Sequence, residues 1–94
     1  MGLFDENIVT KEYLIDHLGF KPHYYQKECY WKSLRGPIYS EVSVPAFQYD
    51  FYYYINKNEL TVSMLEFRSE IWTTTTHYIK DTLELEVTLK KYGL

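Results

Sequence analysis

The chain of 94 residues is poor in several residue types, and each shortage argues against a class of protein. Cys29 is its single cysteine, so no internal disulfide can form, which is typical of a reducing compartment. Its four glycines, at 2, 19, 36 and 93, form no glycine-rich phosphate-binding loop. The chain also lacks an apolar run long enough to span a bilayer and a basic, apolar leader. We therefore expect a cytoplasmic protein that is not bound to a membrane.

An excess of basic residues is missing as well. Ten Lys and Arg stand against 13 Asp and Glu, for a net charge of −3. Proteins that hold nucleic acid through its phosphates need a basic face, so direct DNA binding is not expected.

No arrangement of reactive residues predicts catalysis. His17, His23 and His77 lack the short spacing of metal ligands, and the sequence around Cys29 matches no known nucleophile motif. We expect no enzyme, no metal and no cofactor.

Aromatic residues are the abundant feature: 11 Tyr, 5 Phe and 2 Trp. They concentrate in "QYDFYYY" at 48–54. In a strand, alternate side chains point to opposite faces, so Phe51 and Tyr53 share one face and Tyr52 and Tyr54 the other. This pattern predicts a core-facing set and an outward set.

The remaining elements follow from capping and periodicity. Thr10 and Gly19 bound a predicted helix at 10–18. Strands are predicted in 23–33, 38–44, 48–55, 60–67 and 70–78, with a hairpin turn at 56–59. The apolar phase slips between Met64 and Leu65, which indicates either a bulge or a strand covered on both faces. Residues 82–92 alternate like a strand, but their capping signals favour a helix.

The predicted fold is a single α+β domain spanning 1–94. It has a short N-terminal helix, a four- to five-stranded antiparallel sheet and a C-terminal helix on one sheet face. The residues expected in the core are Tyr25, Trp31, Val42, Phe51, Tyr53, Ile55 and Val62 from the sheet, with Leu14, Leu18, Leu85 and Leu89 from the helices.

The other sheet face is expected to be rich in tyrosine and partly exposed. Tyr and Trp lead the residues that dominate protein interfaces. The candidate partner-binding residues are Tyr52, Tyr54, Tyr39, Tyr24, Tyr30 and Trp72. The tyrosines could instead serve only as cross-strand pairs, lie buried between copies of a structural homo-oligomer, or stack weakly on single-stranded nucleic acid.

Three stretches carry a resemblance: "TKEYLIDHLGF", then "YYQKECYW", and finally "DTLELEVTLKKYG". Together they resemble small uncharacterised proteins of phages and mobile elements, a source class that includes anti-CRISPR inhibitors of host defence. The resemblance implies a source class of compact, acidic, phage-encoded binders, whose best-understood members occupy a surface of a nuclease complex. With the absence of a catalytic arrangement, we expect a non-enzymatic protein that binds a host nuclease or a protein–RNA complex.

Overall fold

The structure, a computed structural model, describes residues 8–35, 47–66 and 70–94. The predicted strand at 38–44, with Tyr39 and Val42, lies outside these residues. In chain order the elements are a π-helical turn, Tyr13–His17, then strands β1 (Lys21–Pro22), β2 (Cys29–Arg35), β3 (Phe47–Tyr54), β4 (Glu59–Glu66) and β5 (Ile71–Tyr78), and the helix α1 (Thr82–Lys91).

The N-terminal helix is confirmed only as a short helical piece. Thr10 caps it, since its Oγ1 accepts the backbone N–H of Tyr13 at 3.2 Å. The turn is wider than an α-helix because the Leu18 N–H donates to the carbonyl of Tyr13, five residues earlier. The predicted boundaries of 10–18 were therefore close, but the segment is a short π-helical turn rather than a regular helix.

Gly19 ends this turn as the sequence predicted. Its φ of +78° lies in the left-handed region that side chains disfavour. The next residue, Phe20, donates its N–H to the Leu14 carbonyl at 2.8 Å and is buried. Lys32 of β2 donates its Nζ to the Leu18 carbonyl at 2.7 Å, which ties the end of the turn to the sheet.

The five strands form one antiparallel sheet in the order β1-β2-β3-β4-β5. The prediction of an antiparallel meander with a C-terminal helix is thus confirmed for the described residues. The two-residue β1 was not predicted. In the β3–β4 connection, Asn58 takes a φ of +52°, which asparagine tolerates better than most residues.

Of the two explanations for the phase slip between Met64 and Leu65, the bulge is excluded by the strand register. Met64 pairs with Tyr49 and Thr73, and Leu65 pairs directly afterwards with Gln48 and Trp72. The alternation of apolar residues is interrupted because Leu65 is apolar although it lies on the side of the sheet away from the core. It is half-buried there, opposite Trp72.

Residues 82–91 are a helix, which decides between the two interpretations of this segment. Asp81 accepts the N–H of Glu84 at 2.8 Å, and Glu84 in turn accepts the N–H of Lys80 at 2.6 Å. Gly93, with a φ of +100°, ends the helix. Because these signals are local, they were readable in the sequence.

The core lies between the sheet and the two helical elements. Tyr92, just after α1, places its ring edge-on to Phe51 at 5.7 Å and to Tyr49 at 5.1 Å. Six residues expected in the core are fully or almost fully buried: Phe51, Tyr53, Val62, Leu14, Leu85 and Leu89. Ile55 and Leu18 are partly buried against them.

Two expected core residues were placed wrongly. Tyr25 is 79% exposed, and Trp31 is half-buried on the opposite side of the sheet. The cause is that β2 begins at Cys29, so residues 23–28 form a loop and Tyr30, rather than Trp31, faces the core.

Candidate functional site

The strand register divides the sheet into a core face and an open face. Residues directly opposite each other in antiparallel strands point to the same side. Tyr53 lies opposite Tyr30 and Leu60 on the core face, and Tyr52 lies opposite Trp31 and Thr61 on the other side. We call that second side the open face, because both described helical elements pack on the core face.

An aromatic cluster occupies the β1–β2 end of the open face. We call it the aromatic corner, and its members are His23, Tyr24, Tyr25, Trp31 and Tyr52. Its rings are close: Tyr24 lies 4.3 Å from Tyr25 and 5.4 Å from His23, and His23 lies 5.9 Å from Tyr52, all between ring centroids. Four of the five line a shallow hollow of about 160 Å³.

His23 holds the loop that carries the two tyrosines. Its Nδ1 accepts the backbone N–H groups of Tyr25 and Gln26, each at 3.2 Å. Its own backbone N–H donates to the Cys29 carbonyl at 2.8 Å. A nitrogen that accepts two hydrogen bonds carries no proton, so the ring has Nδ1 free of hydrogen in this arrangement. The loop is therefore anchored although its tyrosines are exposed.

Burial disfavours the ionised forms of two side chains at the corner, the Tyr52 phenol and the Cys29 thiol. It raises the pKa of the Tyr52 phenol, and the nearby Asp50 carboxylate raises it further. Burial also raises the pKa of the Cys29 thiol, against a smaller lowering by its hydrogen bond with Tyr54. A thiol whose ionised form is disfavoured is a poor nucleophile, so Cys29 is suited to packing rather than to covalent chemistry.

Hydrogen-bonding groups border the aromatic corner along β2 and β3. Asp50 accepts from the Ser33 hydroxyl at 2.7 Å and from the Gln48 amide at 3.0 Å. Lys57 lies over the Tyr54 ring, with its Nζ 5.6 Å from the centroid. The open face thus combines an aromatic patch with a polar margin, which is the usual anatomy of a protein interface.

The structure distributes the predicted partner-binding residues unevenly. Tyr52 and Tyr54 are half-buried on the open face. Tyr24 is 80% exposed and lies beside the end of that face where Tyr52 is found. Trp72 lies on the same face and is 51% exposed. Its partner on β4 is Leu65, whereas the partner of Tyr52 on β4 is Thr61, so the two aromatic residues are offset by four positions along that strand. At about 3.3 Å per residue, that offset is roughly 13 Å.

Tyr30 was placed wrongly. It is only 7% exposed and lies opposite Tyr53 on the core face, so it cannot present its ring to a partner. Conversely, the sequence missed His23, Tyr25 and Trp31 as surface aromatics. The available signal was the polar run Gln26–Glu28 between the tyrosines and Cys29, which is typical of a loop rather than a strand.

A second polar cluster lies between the π-helical turn and α1. The Tyr13 hydroxyl donates to the Glu86 carboxylate, and His17 Nε2 is 3.8 Å from the same oxygen. Burial raises the pKa of the Tyr13 phenol, and the hydrogen bond to Glu86 and the negative charge of Glu86 raise it further. Lys32 and Lys90 help to line an adjoining cleft of about 240 Å³. Tyr13 and Glu86 link two helical elements, which accounts for their pairing structurally.

Neither a metal site nor a membrane-spanning helix occurs in the described part of the chain. No three His, Cys, Asp or Glu side chains there lie together as metal ligands. None of the described helices is both long and apolar enough to cross a bilayer.

No family model matches the chain, and no curated protein or solved structure matches it either. The class of this protein is therefore defined by its geometry alone. It is an α+β protein with an antiparallel sheet that carries helical elements on one face and the aromatic corner on the other.

Proposed function

We propose that this chain is a non-enzymatic binding module that docks another protein on the aromatic corner of its open face. The observation that carries the proposal is a set of rings that are both exposed and anchored. Tyr24 and Tyr25 are about four-fifths exposed, yet His23 holds their loop through two backbone hydrogen bonds.

Exposed rings of this kind favour protein binding for two physical reasons. Tyr and Trp bury a large area while losing few rotatable bonds, so they dominate the binding energy of many interfaces. A loop that is already anchored loses less conformational freedom when a partner binds. Both reasons apply to the aromatic corner.

The chemistry of the corner supports binding rather than catalysis. The Tyr52 phenol and the Cys29 thiol have raised pKa values, so they act near neutral pH as hydrogen-bonding and packing groups. Asp50 is already hydrogen-bonded to two neighbours at the polar margin. In this proposal the corner is the anchor and the margin sets the orientation of the partner.

The sharpest form of the proposal is a phage-type inhibitor that occupies a surface of a host nuclease or ribonucleoprotein. Its support is the sequence resemblance, together with the small size and the net charge of −3. The test is the activity of the nuclease that the partner search recovers, measured with and without added protein.

The binding test compares two variants of the open face with one of the opposite side. The wild-type chain is used to recover a partner from a bacterial lysate, and mass spectrometry identifies it. Affinities are then measured by calorimetry for wild type, for Tyr24→Ala and for Tyr52→Ala with Tyr54→Ala. Loss of interface anchors should weaken binding by about 30-fold or more, corresponding to about 2 kcal/mol.

The matched control is Leu83→Ala, which removes an exposed side chain from α1. It should bind like wild type, and circular dichroism should show that every variant is folded. Tyr24→Ala guards against misfolding, because its ring lies at the surface. Full affinity in both open-face variants would refute the proposal. Salt-sensitive binding of single-stranded oligonucleotides that is lost in the same variants would favour the nucleic-acid alternative instead.

A further inference from the structure

The second exposed feature of the fold is the outer edge of the sheet at β5. This strand pairs with β4 on one side, and no described strand pairs with its other side. Seven of its eight residues are exposed, and His77 is intermediate. The sequence, IWTTTTHY, contains no Lys, Arg, Asp or Glu and no proline.

Backbone alternation shows which groups point outward. The Ile79 N–H donates to the Asn58 carbonyl of the preceding hairpin at 2.8 Å. In an antiparallel ladder, successive residues point their N–H and C=O alternately to the two sides. The even-numbered residues of β5 therefore aim both groups away from β4: Trp72, Thr74, Thr76 and Tyr78.

The two edges of the sheet differ in how they are protected. Natural proteins block edge strands with short length, charge, proline or a bulge. The edge strand β1 is two residues long and ends in Pro22, which has no N–H to offer. By contrast, β5 is eight residues long and pairs with β4 without interruption. Its edge is suited to accepting another strand.

Symmetry restricts how β5 could pair with a copy of itself. In an antiparallel pair related by a two-fold axis perpendicular to the sheet, the open faces of both copies lie on the same side. Two residues that lie opposite each other must then point to the same side of the sheet, so their residue numbers add to an even total. With the axis beside Thr75, seven residues overlap and Trp72 of one copy lies opposite Tyr78 of the other. Aromatic pairs of this kind stabilise sheets.

The same register also matches charge at both ends of the strand. The exposed residues that flank β5 are Glu70 and Lys80. In an antiparallel pair centred on Thr75, the end of β5 that carries Glu70 lies beside the end of the other copy that carries Lys80, although Glu70 is itself a turn residue with a φ of +58° and lies outside the ladder. Moving the axis to Thr74 would lose the aromatic pair.

We propose that β5 pairs with β5 of a second copy, centred on Thr75, to form a homodimer. The two five-stranded sheets would then join into one continuous sheet with both aromatic corners on the same side. The proposal does not depend on what the aromatic corner binds. It differs from a dimer in which tyrosine faces are buried, because its contact is a strand edge.

The first test is the mass in solution. Light scattering after size exclusion should give about twice the chain mass of 11.4 kDa for wild type. Thr74→Pro removes an N–H that points outward and spares the bonds to β4, so it should give a monomer. Thr61→Val changes the open face on β4, one strand in from the edge, and should remain a dimer. A wild-type monomer at every concentration reached, or a dimeric Thr74→Pro, would overturn the proposal.

The second test determines the register. Thr75 would meet its own copy as a non-hydrogen-bonded pair, with Cα atoms about 4.5 Å apart, which is close enough for a disulfide. A mild oxidant should therefore convert Thr75→Cys to a covalent dimer by removing one hydrogen atom from each thiol. Wild type, whose Cys29 is buried, should not cross-link. Cross-linking of Thr74→Cys but not of Thr75→Cys would refute the register.

The third test reverses the end charges. Glu70→Lys should weaken dimerisation by about fivefold, because the symmetric dimer contains the charge pair twice. Adding Lys80→Glu to that variant should restore the affinity. Equal weakening in the single and double variants would show that these residues do not lie near each other.

Discussion

Tyr53 provides the sharpest test of the core. Its side chain is fully buried, and among the described residues its hydroxyl has no hydrogen-bond partner. Leaving a buried polar group unpaired costs about 1–3 kcal/mol. Tyr53→Phe removes that hydroxyl and keeps the ring, so at pH 8 it should raise the free energy of unfolding by an amount in this range.

The pH dependence supplies a second magnitude. Burial raises the pKa of Tyr53 from 10.0 to about 12. As the pH rises, the phenol therefore ionises in the unfolded chain before it ionises in the folded chain. The contribution of the neutral phenol to the free energy of unfolding is fully present below pH 10 and is lost as the pH rises toward 12. At pH 11 the loss is about 1.4 kcal/mol, following the linkage of one pKa unit to that energy.

The assay is urea unfolding at several pH values between 8 and 11, followed by circular dichroism. The difference between Tyr53→Phe and wild type should widen by about 1.4 kcal/mol over this range. Tyrosines that both proteins share cancel in this difference. The control is Tyr25→Phe, whose ring is exposed and which should behave like wild type. Parallel curves for Tyr53→Phe and wild type, or a variant less stable at pH 8, would refute the reasoning.

Two further predictions concern stability. Phe51→Ala should lower the free energy of unfolding by roughly 3–5 kcal/mol, because the ring is fully buried beneath Tyr92; a loss below about 1 kcal/mol in urea unfolding would contradict this burial. Asp81→Ala should cost about 1 kcal/mol, because it removes the side chain that caps α1. Its measurement is thermal unfolding beside the exposed Lys91→Ala, and an unchanged melting temperature would show that the cap does not stabilise the fold.

The candidate site was predicted in part. Alternation within β3 correctly separated Tyr52 and Tyr54 from Phe51 and Tyr53. The same reasoning failed on the segment before β2, where Tyr25 was assigned to the core. A strand pattern was assumed there, and the loop anchored by His23 replaced it. The aromatic corner depends on that loop. The loop is anchored by hydrogen bonds to the His23 side chain, and the periodicity of apolar residues carries no information about such bonds.

The β2 error has a further cause. Cys29 and Tyr30 are adjacent and both buried, although they point to opposite faces. Cys29 is buried on the open face, opposite Tyr54, while Tyr30 lies opposite Tyr53 in the core. Hydrophobicity alone cannot assign a face to such a pair. The binding role of the open face and the expected absence of catalysis remain predictions.

The sequence by itself determined the elements whose signals are local. The caps of α1, the turn at Asn58 and the alternation in β3 each depend on residues a few positions apart, so the chain carries the information directly. The tertiary structure decided which phase of β2 faces the core and which of the described strands lies at the edge of the sheet. A strand has two equivalent phases, and only its cross-strand partners distinguish them, because shifting the register by one residue moves every side chain to the other face.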